Sequence, residues 1–380
     1  MEPIYFDHAA TTRVLPEAAQ AALRAMTEEY GNPSSLYALG TRAAKALAAH
    51  REAVAQALGC QAGEVIFTSG GTEGDNWAIS LAAHLGRHRG KHIITTAVEH
   101  AAVLEPCKAL EAQGYQVTYL TPGPDGRGKV ADLEAALRPD TVLVSMMLVN
   151  NETGAIQPVK EAGQVLKRCR SQALLHTDAI QGFLKIPFTP KALGVDLLTV
   201  SGHKIGAMKG SGALYLRAGL RAVPLLRGGG QEKGLRSGTE PTPQIAALAA
   251  ACTLGKAALE DHQTYLTHLK TYALAAFQKA VPGLVVVAAG DAPHICAISL
   301  PGYPSQVVVR WLSDQGFCLS AGSACHRGQA SHVYAAMGLS KPVRDGMLRV
   351  SFGPENTQEE VDRLAQALGT ATQVLLPAGR

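Results

Sequence analysis

From residue 64 to residue 216, with no internal sequence repeat, short apolar runs alternate with longer stretches of helical spacing. The apolar runs fall at 64–67, 92–96, 116–120, 141–149, 174–177, 197–200 and 212–216. Runs this short and this continuously apolar suit strands buried on both faces. Their alternation with helical stretches predicts an α/β fold, with a mostly parallel seven-stranded sheet and helices on both faces. A chain of 380 residues exceeds one ordinary core and suggests two domains. A glycine-rich link at 227–238 leads into a helical segment from about Gln244, and Pro282-Gly283 opens a second unit. That unit reads as strands at 294–299, 317–320 and 348–352 with helices near 305–315 and 358–375, a smaller α+β domain. The expected division is a large domain over 14–255 and a small one over 256–380, with residues 1–13 as an arm packing on the small one.

Open sheets of this kind place their ligands at strand ends. Lys204, in Ser201-Gly202-His203-Lys204, directly follows the run at 196–200. Lysine is ordinarily a solvated surface cation. Held at the end of a buried strand, its amine becomes a nucleophile. Asp178 closes the run at 174–177. Aspartate after a strand is common turn chemistry, but a buried carboxylate there also suits a protonated ring nitrogen. In Thr68-Ser69-Gly70-Gly71-Thr72 a strand runs through two glycines into a helix start. This is either an ordinary capped turn or a phosphate cup at a helix N-terminus. It matches neither the Walker nor the dinucleotide pattern. Ser201 and His203, beside the lysine, offer donors to the same phosphate. His100 follows the strand that ends near Ala97 and suits ring stacking and proton relay. Asn150-Asn151 and Gln181 offer amides to a ring oxygen. A nucleophilic lysine, an acid, a phosphate cup and a stacking group are the parts that a lysine Schiff base to pyridoxal 5'-phosphate needs.

A second feature is Cys325, in Gly322-Ser323-Ala324-Cys325-His326-Arg327-Gly328. Its neighbours are small and polar, so the thiol is expected on an accessible loop, where His326 and Arg327 would favour the thiolate. The other six cysteines, Cys60, Cys107, Cys169, Cys252, Cys296 and Cys318, sit in apolar surroundings and read as inert.

Taken in order, these motifs make the chain resemble a NifS/IscS-type cysteine desulfurase, of the class V aminotransferase group with the type I pyridoxal-phosphate transferase fold. The resemblance runs nearly end to end. It also takes in Tyr5-Phe6-Asp7-His8-Ala9-Ala10-Thr11-Thr12, Gly31-Asn32-Pro33-Ser34-Ser35, Asn150-Asn151-Glu152-Thr153-Gly154, Gly228-Gly229-Gly230-Gln231-Glu232 and Arg236-Ser237-Gly238-Thr239. It implies conversion of L-cysteine to L-alanine, with the sulfur passed to Cys325 as a persulfide for iron–sulfur cluster or other sulfur-containing cofactor or tRNA biosynthesis. Catalysis would rest on Lys204, Cys325 and His100. The cofactor would be held by Gly71, Thr72, His100, Asn151, Asp178, Gln181, Ser201, His203, Lys204 and Thr239, the last reaching in from the second subunit of a homodimer. Asn32 and Arg349 would bind the substrate carboxylate; a guanidinium–carboxylate fork is the reason for arginine there. A sulfur acceptor protein is the implied partner. Selenocysteine lyase, or another class V reaction, is the nearest alternative on the same fold. Departures from the family pattern are Tyr37, where histidine is usual, Met208, where proline is usual, a shorter loop between Cys325 and Val333, and a shorter tail.

Composition narrows the remaining classes. At 47% hydrophobic and 17% charged, the chain is that of a globular enzyme. A net charge of +4, with no basic stripe, argues against nucleic acid. No cysteine or histidine spacing suits a metal. Seven scattered cysteines suit a reducing compartment. With neither a secretory leader pattern nor a membrane-length apolar run, the expected location is the cytoplasm.

Overall fold

A computed structural model describes residues 3–288, 290–321 and 331–377. Its strands are β1 (Ile4–Tyr5), β2 (Val65–Thr68), β3 (His92–Thr96), β4 (Gln116–Leu120), β5 (Thr141–Ser145), β6 (Leu174–Asp178), β7 (Leu197–Ser201), β8 (Gly212–Leu216), β9 (Val285–Val286), β10 (Ile295–Ser299), β11 (Phe317–Cys318) and β12 (Met347–Ser351). Seven of them form the expected sheet, in the order β2-β8-β7-β6-β5-β3-β4. All its pairings are parallel except those of β8, which runs against both β2 and β7.

Both faces of this sheet are covered, so apolar side chains occupy successive positions along each strand. Val65, Phe67, Ile94, Val144, Leu175 and Leu198 join one core. Ile66, Ile93, Leu143, Leu197 and Leu214 join another, on the side of Trp77, Ile79 and Leu81. Those three belong to a helix over Gly71–Gly86; with Pro16–Thr27 as α1 and Ala38–Leu58 as α2, it is α3, and Ala101–Glu111 is α4. The indole nitrogen of Trp77 donates to the Val223 carbonyl at 3.1 Å, so its one polar atom is satisfied where the ring is buried.

A separate core gathers Phe277, Ile298, Leu312, Leu348, Val350 and Leu364 around the three-stranded sheet β12-β10-β9. Ile4 and Phe6 join that same core. Near them β1 pairs in parallel with β11, Ile4 opposite Phe317. Two strands end earlier than their apolar runs suggest. β5 stops at Ser145, yet Met146 and Leu148 still donate backbone N–H groups to His176 and Asp178 of β6, at 3.0 and 2.8 Å. The chain then turns through a bridge between Val149 and Ile156. β11 stops at Cys318, and Ser320 makes an isolated bridge with Arg349. Both departures lead the backbone toward the same cavity.

Candidate active site

A cavity of about 270 Å³ lies where β2, β3, β6 and β7 end. Its walls include Ala9, Ala10, Gly71, Thr72, His100, Met147, Asn151, Asp178, Ile180, Gln181, Ser201, His203, Lys204 and Arg349. Ten of the residues expected from the sequence are therefore brought together.

The floor is the start of α3. Its first backbone N–H groups have no partner within the helix and carry the positive end of its dipole. Gly71 is needed for approach: a Cβ there would meet Ile180 Cδ1 at 2.1 Å. Ser201 and His203 come from the opposite side, at the end of β7 and in the short turn Gly202–Lys204. Burial, with Lys204 and Lys209 nearby, lowers His203 to about 4, so it is a neutral donor rather than a cation. Backbone N–H groups, a hydroxyl and a neutral imidazole around a dipole end suit a phosphate.

Asp178 ends β6, almost fully buried, with one oxygen accepting from the Ile180 N–H at 2.9 Å. Burial raises it to about 8 and Asp75 adds to the rise, while the Ile180 N–H, His176 and Lys204 pull the other way. A carboxyl in that position gains a charge readily when a cation is placed against it. A protonated ring nitrogen is such a cation, so the walls fit pyridoxal phosphate at both ends.

His100 caps α4, and its Nδ1 accepts from the Ala102 N–H at 3.1 Å. That bond places the ring proton on Nε2. Lys204 Nζ donates to the carbonyls of Ala9 and Ala10, each at 2.7 Å. Gln181 Nε2 donates to the same Ala9 carbonyl at 2.8 Å. The lysine turn is gripped further: Thr12 Oγ1 donates to the His203 carbonyl at 3.0 Å and accepts from the Gly206 N–H at 2.8 Å.

Arg349, on β12, is 2% exposed. Its guanidinium donates to Asp7 Oδ1 at 2.8 Å, to the Asn151 carbonyl at 2.9 Å and to Ser320 Oγ at 3.2 Å. These contacts aim a fixed fork at the cavity. The sequence reading assigned Asp7 no role. Breaking such a pair leaves a buried charge uncompensated, at a cost of about 3 kcal/mol or more. Asp7→Ala should therefore lower the melting temperature by several degrees and raise KM for an amino-acid substrate about tenfold. Thermal melts and initial-rate kinetics check both; an unchanged KM would mean that Arg349 needs no such support.

Asn150 is not in the cavity wall. It is buried and structural, with Oδ1 accepting from Glu152 N, Thr153 N and Thr153 Oγ1, and Nδ2 donating to the Val98 carbonyl. Its neighbour Asn151 lines the cavity. Asn32 and Thr239 also lie outside it. Asn32 is exposed and accepts from the Ser34 N–H at 2.9 Å, and Thr239 is exposed directly after the glycine-rich link. Cys325, the length of its loop and the end of the tail fall outside the described residues.

Comparison with known proteins bears on the same chemistry. Residues 4–364 match the family described as aminotransferase class-V. The cysteine desulfurase IscS of Methanosarcina thermophila is 40% identical over 390 aligned positions, covering 98% of this chain and 92% of its own. A solved NifS-like protein superposes with a TM-score of 0.93 at 34% identity, covering 98% of this chain and 100% of its own. A structure titled SspA in complex with cysteine gives a TM-score of 0.81 at 32% identity, covering 93% and 100% respectively.

Proposed function

We propose, for a chain that belongs to the aminotransferase class-V family, a residue-level account of how it moves sulfur. The chain is a pyridoxal phosphate-dependent cysteine desulfurase, with relatives of that name matching nearly its whole length. The roles of its residues follow from the cavity. The observation that carries them is the convergence of Lys204, Asp178 and the start of α3 on one cavity.

Gly71, Thr72, Ser201 and His203 hold the phosphate. Asp178 would pair with the ring nitrogen, and His100 would stack on the ring and act in acid–base steps. Asn151 and Gln181 face the ring oxygen. When bound, the cofactor supplies an electron sink for charge developing at the substrate's α-carbon. Arg349 binds the carboxylate of L-cysteine, steadied by Asp7, and turns the α-proton toward Lys204. That orientation is the entropic part of the catalysis. Lys204 takes the proton from the α-carbon and later returns one. The Ala9 and Ala10 carbonyls keep its amine on the correct side of the cavity. The Cys325 thiolate attacks the substrate sulfur. A sulfur–sulfur bond forms as the carbon–sulfur bond breaks, the carbon takes up a proton, and L-alanine leaves Cys325 as a persulfide. Incubation with L-cysteine should yield alanine and protein-bound sulfur in equal amounts. Alanine with only free sulfide, or turnover confined to selenocysteine, would replace this reading with a lyase.

The remaining assignments rest on surfaces and on the family. Residues 14–255 are taken as the large domain and 256–380 as the small one, with 1–13 packed on the latter. A homodimer accounts for two features. Leu23, Met26 and Tyr30 form an exposed stripe on and just after α1, and Leu36 and Tyr37 stand exposed before α2. Thr239 directly follows a link anchored by the ion pairs Arg51–Glu232 and Arg236–Glu73, which present it outward. Thr239 would then donate to the phosphate in the partner subunit, and Asn32 would assist substrate binding from the same face. Mixing Lys204→Ala with Thr239→Ala chains should restore about a quarter of wild-type specific activity, since one site in each hybrid is intact. Two inactive parents giving no recovery after verified subunit exchange would end this assignment. Among the described residues no helix is long and apolar enough to cross a membrane. A cytoplasmic enzyme delivering sulfur to an acceptor protein fits these features.

A further inference from the structure

Behind the cavity lies a second layer of buried polar groups. α3 crosses the sheet face that carries Ser145, His176, Asp178 and Thr199. His176 and Asp178 stand two apart on β6, hence on one face. Thr199 of β7 is the register partner of Asp178, and Ser145 of β5 that of His176. Gly74 allows the helix to lie this close, for a Cβ there would meet Thr199 Cγ2 at 2.5 Å. The next residue, Asp75, is thereby seated 3.5 Å from His176 Nε2.

Asp75 is completely buried, and neither of its carboxyl oxygens makes a well-formed hydrogen bond. Native folds keep few such groups, and each calls for a reason. His176 does not supply one. Its Nδ1 meets Ser145 Oγ at 2.8 Å and its Nε2 meets Thr199 Oγ1 at 3.2 Å. Burial lowers it to about 4, so it is a neutral spacer that cannot cancel an acid beside it.

Two further acids share this volume. Burial raises Glu99 and Asp178 each to about 8 and Asp75 to about 7. The Thr199 hydroxyl eases the charge on Asp75, and Thr96 and the Met147 N–H ease that on Glu99. Asp75 raises both Asp178 and Glu99, so the three acids feel one another. Of these, Asp178 is the one that lines the cavity. A cation placed against it draws on the field of all three.

We propose that Asp75 is a positioning residue for the cofactor: seated behind Asp178 across His176, its charge adds to the negative potential that keeps the cofactor's ring nitrogen protonated. This rests on the reading of Asp178 as partner of that nitrogen, and the test separates the two. The readout is the dissociation constant of apo-protein for pyridoxal 5'-phosphate and for 1-deazapyridoxal 5'-phosphate, in which carbon replaces the ring nitrogen. Asp178→Asn should weaken the first ligand and spare the second. Equal loss of both would remove the premise. With the premise standing, Asp75→Asn should weaken pyridoxal phosphate about tenfold, one unit of proton affinity at the nitrogen. It should leave the carbon analogue within about twofold. Equal weakening of both ligands would make Asp75 a structural support of α3, and no weakening would mean that it stays neutral; either overturns the proposal while Asp178 keeps its role. The unsubstituted protein offers a check if the variant does not fold. The ¹⁵N resonance of the bound ring should shift as the acids behind it titrate near pH 7 to 8. A trace that is flat from about pH 6 to pH 9 would also overturn the proposal.

Discussion

Lys204→Ala should reduce alanine formation from L-cysteine by about 10³-fold or more, the loss expected when a covalent anchor and proton shuttle are removed together. The described residues offer no second amine of the same standing. Lys185 and Lys270 are not among the cavity-lining residues, and burial lowers both. Lys270 is spent on the carbonyls of Gly290 and Ala292. The fold should survive, because the hydrogen bonds that Lys204 gives to Ala9 and Ala10 are worth only about 1 kcal/mol each. The phosphate cup is untouched and the Asp178 carboxyl is still present, so the variant should still bind pyridoxal phosphate, reversibly. Borohydride followed by denaturation and mass spectrometry is the decisive measurement. Wild-type protein should retain the cofactor's mass on the peptide bearing Lys204, and the variant should lose it on dialysis. Irreversible attachment at the active site of the variant would move the anchor to another residue.

Cys325→Ser should stop turnover at a different point. Serine preserves size and polarity but is a far weaker nucleophile toward sulfur. The groups proposed to bind the cofactor, Lys204, Asp178 and the cup, are unchanged, so the variant should remain yellow and its spectrum should still respond to added cysteine. Alanine and persulfide should disappear together. Four of the other six cysteines are poor substitutes, whereas Cys169, expected in apolar surroundings, is exposed on the surface. Burial pushes Cys60, Cys107 and Cys296 up to about 12 and Cys252 higher still, so they stay as thiols at neutral pH. Alanine formation near the wild-type rate would make Cys325 a bystander and favour direct release of sulfide.

What could be read from the residues alone follows from where each signal resides. Strands buried on both faces must be apolar along their length, so β2 to β8 announced themselves as short hydrophobic runs. Side chains at strand ends, such as Asp178 and Lys204, were legible because polar groups after such runs stand out. Other parts had no such signal. The acceptors that hold Lys204 are the backbone carbonyls of Ala9 and Ala10, and a carbonyl is common to every residue. Asp7 becomes meaningful only when β12 brings Arg349 against it. In Asn150-Asn151 the two amides look alike, and the bend after β5 decides which one builds a turn and which faces the cavity. Asp75 resembles any acid in the first turns of a helix until Gly74 is seen to seat it over His176. Asn32 and Thr239 remain outside the cavity in a single chain, so the roles proposed for them require a second copy.

The arm formed by residues 4–12 has a consequence for the order of events during synthesis. Ile4 pairs with Phe317, the Ala9 N–H donates to Ser351 Oγ at 2.9 Å, and Asp7 waits for Arg349, 342 residues further along. Contacts of such separation form late, after the loop between them has closed. On a ribosome, the strands and helices up to Leu216 are out and able to receive residues 9–12, while Ile4 to Asp7 still have nowhere to dock. The Asp7–Arg349 pair therefore comes into being only once β12 has emerged. A nascent chain would meet cofactor with its cup formed and its carboxylate fork absent, so the time of translation past Ser351 sets the earliest moment at which reactive sulfur chemistry begins.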